Sequence, residues 1–104
     1  MSEVIVTKNP AKLRYEAHID GALAGFAEYS LAEPGIIDFH HTEVDPEFGG
    51  QGVGGEIARF ALDDVRAGGG REVVPSCPFI KGWIGKHREY QDLLHQGDAP
   101  QADR

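Results

Sequence analysis

Five of the seven residues from Gly49 to Gly55 are glycine, and this segment separates a β-prone part of the chain from a helical part. Before it, Ile36 to Val44 is a long β-prone run, and after it apolar residues recur at helical spacing from Val53 to Val65. A turn that leads into a helix presents unpaired N–H groups and the positive end of the helix dipole. The segment therefore predicts a phosphate- or pyrophosphate-binding turn, with a glycine loop that binds no ligand as the alternative.

The residues upstream of the glycine segment have the pattern of antiparallel hairpins. Val4 to Thr7 is a short β-prone run, and apolar residues alternate with polar ones from Leu13 to Ile19, as in a half-buried strand. Asp20-Gly21 follows, which is a signal for a two-residue type I′ turn, and Ala22 to Ser30 is the predicted returning strand.

Downstream of the first helix the pattern predicts one more strand and one more helix. Gly68 to Gly70 should end the first helix, because glycine is common just after a helix C-terminus. Arg71 to Val74 is predicted as a short buried strand, parallel to the strand at Ile36–Val44, and Phe79 to His87 as a shorter helix. The predicted fold class is α/β in the α+β sense, with a mixed, mainly antiparallel sheet and helices packed on it.

Length and charge limit the classes of protein to which the chain can belong. With 104 residues it should form one domain over residues 1–95, and the polar residues 96–104 are predicted to be a disordered tail. Ten Lys and Arg against seventeen Asp and Glu give a net charge of −7, which argues against a nucleic-acid partner. No apolar run is long enough to span a membrane, and the first residues lack the regions of a signal peptide. We therefore expect a cytoplasmic protein without a membrane partner.

Glycine spacing by itself does not identify the phosphate ligand. Gly50-x-Gly52-x-x-Gly55 matches the dinucleotide fingerprint, but that match is weak when it stands alone. A dinucleotide-binding domain needs a larger parallel sheet than the remaining residues can build, and the upstream hairpins also disagree. A P-loop matches even less well, because no Gly-Lys-Ser/Thr ends the segment.

Several motifs in order make the chain resemble the Gcn5-related N-acetyltransferases, and especially the very small members of that family. The motifs are His41–Val44, Gly50–Gly54, Val74–Ile80 and His87–Leu93. The resemblance implies the minimal acyl-CoA N-acyltransferase fold and acetyl-CoA as the donor. It also implies an amine acceptor, either a small molecule or a protein, whose identity the sequence leaves open together with the oligomeric state.

The resemblance assigns the coenzyme A contacts to the end of one strand and to the glycine turn. The pantetheine arm is expected near Thr42, Glu43 and Val44, where a backbone N–H could polarise the thioester carbonyl. The predicted pyrophosphate-binding residues are Gly49, Gly50, Gln51, Gly52, Val53 and Gly54. Gly49 departs from the family pattern, because it stands where Gln or Arg is expected. We expect this departure to affect the affinity for coenzyme A.

Cys77 and His41 are the candidate catalytic residues. Cys77 precedes Pro78 and should lie at a helix N-cap, a position that favours the thiolate, so it could carry an acetyl group or protonate the CoA thiolate. The alternative for Cys77 is a small buried hydrophobic residue. His41 is a candidate general base, and alternation places it on the same strand face as Phe39 and Glu43. The alternative for His41 is a hydrogen-bonded strand histidine.

The glycine turn and the family resemblance together predict an acetyltransferase. No metal is expected, since His40, His41 and Cys77 lack zinc-ligand spacing. Two other functions stay open. Gly49 is compatible with a non-catalytic module that binds CoA or another nucleotide, and Cys77 is compatible with a thiol-dependent enzyme.

Overall fold

Five strands and two α-helices form the described part of the chain, which is residues 3–31 and 33–95 of the computed structural model. The strands are β1 (Val4–Asn9), β2 (Arg14–Ile19), β3 (Ala22–Ser30), β4 (Ile36–Val44) and β5 (Glu72–Val74). The helices are α1 (Val53–Gly68) and α2 (Pro78–Gly85), and 3₁₀ turns cover Pro10–Lys12, Pro46–Phe48 and Arg88–Leu93. The predicted disordered tail at 96–104 lies outside the described residues.

The strands form a single sheet in the order β1-β2-β3-β4-β5. The first four strands are antiparallel neighbours, and β5 is parallel to β4, as the β4–α1–β5 connection predicts. Asp20 and Gly21 join β2 to β3 with φ values of 51° and 83°, the two positive values that a type I′ turn requires. The mixed, mainly antiparallel fold class and the hairpin are therefore confirmed.

Helix α1 packs its apolar face against one face of the sheet, which we call the inner face. The sheet contributes the aromatic residues Tyr15, Tyr29 and Phe39 to this core, all nearly inaccessible to solvent. The buried residues of α1 are Val53, Gly54, Ile57, Ala58, Ala61, Leu62 and Val65, which include every apolar position that the helical period predicted. Burial of each large side chain stabilises the fold by about 1.5–3 kcal/mol. This interface therefore holds α1, including its start, in place relative to β4.

Strand β5 differs from the predicted buried strand at 71–74. It begins at Glu72, and only Val73 is buried. Glu72 is exposed and its carboxylate lies 2.9 Å from Nδ1 of His95. The difference arises because, among the described residues, β5 is the last strand of the sheet and has on its far side a single bridge between Val73 and Leu94.

Candidate functional site

Strands β4 and β5 separate after three residue pairs and leave a gap between β4 and α2. Pairing extends from Ile36 opposite Glu72 to Asp38 opposite Val74. The last backbone hydrogen bond between these segments is donated by the N–H of Cys77 to the carbonyl of Phe39 at 2.8 Å. Beyond it the chain turns into α2 while β4 continues to Val44. Residues 40–44 therefore have no strand partner on this side among the described residues, and we call this side the open edge of β4.

A β-bulge in β4 determines which side chains border the gap. Glu28 of β3 pairs with His41, but the next residue, Tyr29, pairs with Phe39, so His40 is inserted between two registered pairs. An extra residue reverses the alternation of side chains beyond it. His41 therefore lies on the outer face of the sheet, opposite Phe39 on the inner face, and the prediction that they share a face is wrong.

The hydrogen bonds also show in which direction the backbone groups beyond the bulge point. The N–H of Asp45 donates to the carbonyl of Ala24 in β3 at 2.8 Å, so Asp45 faces β3. Peptide groups alternate in direction along a strand, which directs Glu43 toward β3 as well, and Thr42 and Val44 toward the open edge. Of the three residues predicted to line the pantetheine, two thus present backbone groups to the gap and one does not.

The glycine turn leaves the start of α1 without a side-chain cap. Gly52 is the N-cap residue, with φ of 75°, and its carbonyl accepts the N–H of Glu56 at 3.1 Å. Because glycine has no side chain, it leaves the first-turn N–H groups at Val53 to Gly55 uncapped. Gly50 also has positive φ, 83°, and a Cβ added at Gly50 or Gly52 would have no atom of residues 3–31 or 33–95 within 4 Å. The helix N-terminus is therefore open in front of the turn.

The remaining residues of the turn have different environments. Gln51 is exposed, whereas the side chain of Val53 is 2% exposed, so only the backbone of Val53 is available to a ligand. Gly49 has an ordinary φ of −61°, and a Cβ there would lie 3.3 Å from the carbonyl oxygen of Pro46. That carbonyl accepts the N–H of Gly49 at 3.1 Å, so the 3₁₀ turn limits the space for a larger residue where the wider family has Gln or Arg.

Close packing holds the start of α1 against α2 and β3. A Cβ on Gly54 would lie 2.6 Å from Cζ of Phe79, so this ring rests directly on the helix backbone. On the other side, a Cβ on Gly25 would lie 2.7 Å from the carbonyl oxygen of Glu43 and 3.2 Å from Cγ1 of Val53. The sequence does not predict these close contacts at Gly54 and Gly25, because a close approach between distant segments leaves no local pattern.

Cys77 lies at the closed end of the gap, on the inner side of β4. It is the N-cap residue of α2, as predicted, and only 4% of it is exposed. Its Sγ donates to Oγ1 of Thr42 at 3.3 Å. The thiol therefore lies beside Thr42, which is the first residue past the bulge whose peptide group faces the open edge.

His41 lies on the outer face, in contact with neighbouring polar and aromatic side chains. Its Nε2 is 3.0 Å from Oε1 of Glu43, and half of the His41 side chain is exposed. The ring centroid of Phe26 lies 6.0 Å away, and the Arg14 guanidinium covers that phenyl ring at 4.5 Å. Arg14 also hydrogen-bonds Glu16 and is the main cause of the lowered pKa of that carboxyl. His41 and Cys77 therefore lie on opposite faces of the sheet and do not form a dyad.

Within residues 3–31 and 33–95, no three His, Cys, Asp or Glu side chains lie together in a way that could hold a metal ion. In the same residues, no helix is both long enough and apolar enough to cross a bilayer.

Comparison with known proteins gives a family match and a structural neighbour. The family model for GCN5-related N-acetyl-transferase matches residues 14–93. An NMR structure of a GCN5-like candidate N-acetyltransferase from Staphylococcus aureus has a TM-score of 0.69 to this chain at 24% identity, covering 91% of both chains. No curated protein matches. The structural neighbour supports the fold, and the family match extends from the start of β2 to the end of the last 3₁₀ turn.

Proposed function

Because the chain belongs to the GCN5-related N-acetyltransferase family, as its motifs predicted, we propose that it moves an acetyl group from acetyl-CoA to an amine. In this reaction the amine nitrogen attacks the thioester carbonyl carbon. The C–N bond forms, the C–S bond breaks, and the electron pair leaves with the CoA sulfur. The attacking amine loses a proton and the thiolate gains one, so groups that accept and donate protons accelerate the transfer.

The uncapped N-terminus of α1, adjacent to the open edge of β4, is the observation that carries the proposal. Free N–H groups and the helix dipole bind a phosphate or pyrophosphate. The open space in front of Gly50 and Gly52 gives a diphosphate access to those N–H groups. The backbone donors are retained although Gly49 replaces the usual Gln or Arg, so we propose that the turn holds the CoA diphosphate by main-chain contacts.

We assign the pantetheine arm to the open edge of β4. The arm contains amides, which can hydrogen-bond to an unpaired strand edge as an added strand would. Thr42 and Val44 direct their peptide groups to this edge, and an N–H there can stabilise the developing charge on the thioester oxygen. Glu43 faces β3, so its backbone is not part of the proposed contact.

We propose that Cys77 donates the proton that the departing CoA thiolate needs. Its thiol is nearly enclosed, hydrogen-bonds Thr42, and is separated from His41 by the sheet. A base that could convert it to a nucleophile is therefore not beside it among the described residues, and proton donation requires none. His41, hydrogen-bonded to Glu43 on the outer face, is the proposed base for an amine that approaches from that side.

The proposal is tested by blocking the helix N-terminus with an internal anion. In Gly52→Asp the new carboxylate can cap α1 and occupy the place of the diphosphate. Titration calorimetry should then give acetyl-CoA affinity at least about tenfold lower, which is about 1.4 kcal/mol. Gly70→Asp is the matched control: Gly70 has a similar φ of 80°, no atom within 4 Å of an added Cβ, and lies past the opposite end of α1.

Three outcomes would contradict the proposal. Equal losses in Gly52→Asp and Gly70→Asp would mean that charge alone weakens binding. If the unmodified protein did not bind acetyl-CoA at millimolar concentration, acetyl-CoA would be excluded as the acetyl donor. Binding without any acetylated product, across a broad panel of amines, would favour the CoA-binding module over the transferase.

A further inference from the structure

One face of α2 carries a groove of about 240 Å³ that is open to solvent. Its lining recurs at the three- and four-residue spacing of a single helix face and consists of Pro78, Phe79, Gly82, Trp83 and Lys86. The buried side chains of the helix, Ile80 and Ile84, lie on a different face. A Cβ added at Gly82 would have no atom of residues 3–31 or 33–95 within 4 Å, so the groove is open above Gly82.

Two aromatic side chains connect this groove to the start of α1. A Cβ on Gly54 would lie 2.6 Å from Cζ of Phe79, and a Cβ on Gly55 would lie 3.5 Å from Nε1 of Trp83. Gly54 and Gly55 belong to the helical turn whose N–H groups lack a side-chain cap. A ligand held by those N–H groups therefore has both aromatic side chains beside it, and a part that extends past the turn can enter the groove.

The Trp83 side chain is held in place before any ligand binds. The His87 ring stacks on the indole with ring centroids 3.7 Å apart and an angle of 12° between the planes. Nδ1 of His87 donates to the carbonyl of Trp83 at 2.7 Å, and the Arg59 guanidinium lies 5.4 Å from the indole. Because this wall of the groove is already ordered, a ligand does not lose affinity by immobilising it.

The chemistry of the lining favours a planar base that carries a phosphate. Aromatic side chains bind either a base or a cation. Lys86 opposes a cation, and its ammonium has no ion-pair partner in residues 3–31 and 33–95. Between Val73 and Arg88 the chain has three Lys or Arg and no Asp or Glu, although its net charge is −7. Lysine is a common partner of phosphate, so a nucleotide satisfies both the rings and the charge.

The size of the groove indicates one end of a larger ligand, because pockets that enclose a whole drug-sized ligand measure about 300–1,000 Å³. We propose that the groove binds the 3′-phosphorylated adenosine end of acetyl-CoA. The adenine lies above Gly82 against Phe79 and Trp83, and the 3′-phosphate lies beside the Lys86 ammonium. The proposal rests on the proposed function and adds a nucleotide subsite on α2 to the diphosphate turn of α1. The groove therefore selects thioesters of CoA over thioesters of pantetheine alone.

The indole N–H of Trp83 tests the groove directly, because Trp83 is the single tryptophan of the chain. In ¹H–¹⁵N NMR spectra of the full chain, adenosine 3′,5′-bisphosphate should shift this signal. Acetyl-pantetheine, which lacks the nucleotide, should leave it in place. A Trp83 signal that does not move with millimolar adenosine 3′,5′-bisphosphate, or that moves as far with acetyl-pantetheine, would overturn the proposal.

Filling the groove provides a second test. Gly82→Leu places a side chain in open space, and leucine is a better helix former than glycine, so the variant should fold. It should weaken acetyl-CoA binding in calorimetry by at least about tenfold and leave acetyl-pantetheine binding unchanged. Gly85→Leu is the matched control, because Gly85 is on the same helix, outside the groove, and equally open to an added Cβ. Equal losses in the two variants, or no loss in Gly82→Leu, would overturn the proposal.

The contact with the 3′-phosphate is tested by removing one charge. Lys86→Gln should lower the affinity for acetyl-CoA severalfold but not the affinity for acetyl-dephospho-CoA, which lacks that phosphate. Lys81→Gln makes the same change on α2 outside the groove and should bind both as the unmodified protein does. Equal effects of the two variants would overturn the assignment of Lys86.

Amide shifts of Gly50 and Gly52 with acetyl-CoA report on the diphosphate turn separately. If those amides shift while the Trp83 signal does not, the groove proposal fails and the proposed function stands. If acetyl-CoA shifts none of these signals, both proposals fail.

Discussion

Replacing Gly25 with alanine should destabilise the protein and disturb the open edge of β4. The added Cβ would lie 2.7 Å from the carbonyl oxygen of Glu43 and 3.3 Å from Cα of Val44, both backbone atoms of β4. Cγ1 of Val53, the first residue of α1, would be 3.2 Å away. Backbone atoms cannot turn aside as a flexible side chain can, so β4 must move away from β3 or α1 must shift.

The expected loss in the free energy of unfolding of Gly25→Ala is the difference between two opposing effects. Inserting a carbon into a closely packed site costs about 1–3 kcal/mol. Alanine restricts the unfolded chain more than glycine does, which returns about 0.4–1 kcal/mol where the native conformation suits it. The net loss should be about 1–2 kcal/mol, and in a domain of this size each kcal/mol lowers the melting temperature by about 4–8 °C.

Urea unfolding followed by Trp83 fluorescence and by circular dichroism measures this loss. Gly68→Ala is the matched control, because Gly68 ends α1 and no atom lies within 4 Å of its added Cβ. There the same substitution should leave stability unchanged or raise it by up to about 1 kcal/mol. If Gly25→Ala were as stable as the unmodified protein, the close approach of β3 to β4 would be refuted. Under the proposed function, Gly25→Ala should also weaken acetyl-CoA binding, because β4 or the start of α1 would shift.

Three further changes have expected outcomes. Cys77→Ala should lower the acetyl-transfer rate severalfold while Cys77→Ser, which keeps a proton donor, should retain more of it; equal rates for the two in a product assay would contradict proton donation. Burial and the hydrogen bond to Asp64 at 2.7 Å raise the pKa of the Tyr15 hydroxyl. The stability that this hydroxyl contributes is therefore fully present below about pH 10, the pKa of tyrosine in the unfolded chain, and declines above that pH. Tyr15→Phe should therefore lose about 0.5–1.5 kcal/mol at neutral pH and show a flatter alkaline decline in urea midpoints, and an unchanged slope would contradict this. Gly54→Ala should displace the Phe79 ring and reduce acetyl-CoA affinity in calorimetry, an effect that Phe79→Leu should relieve; a failure of that rescue would count against ring displacement.

The elements that the sequence predicts well depend on local chemistry. Asp20-Gly21 forms its type I′ turn because both residues tolerate positive φ, and α1 buries its predicted face because that face is continuous at helical spacing. The glycine turn likewise leads into the helix where its composition predicts, with Gly52 as the N-cap. Each of these features is specified by residues close together in the chain.

The bulge at His40 is not specified in that way. Nothing in the run from Ile36 to Val44 distinguishes a bulged strand from a regular one, because the extra residue is defined by its partners Glu28 and Tyr29 on β3. The face of His41 was therefore predicted incorrectly.

The bulge also bears on the order of chemical steps under the proposed function. Cys77 and Thr42 are on the inner side of the gap, whereas Asp38 and His41 are on the outer side, with the backbone of β4 between them. An acetyl group held on Cys77 would have to return across that backbone to reach an amine held beside His41 on the outer face. Direct transfer needs no such return, because a thioester lying in the gap is accessible to an amine from one side while the thiol protonates its sulfur from the other. The separation of these side chains by the sheet therefore favours direct attack over an acetyl-cysteine intermediate.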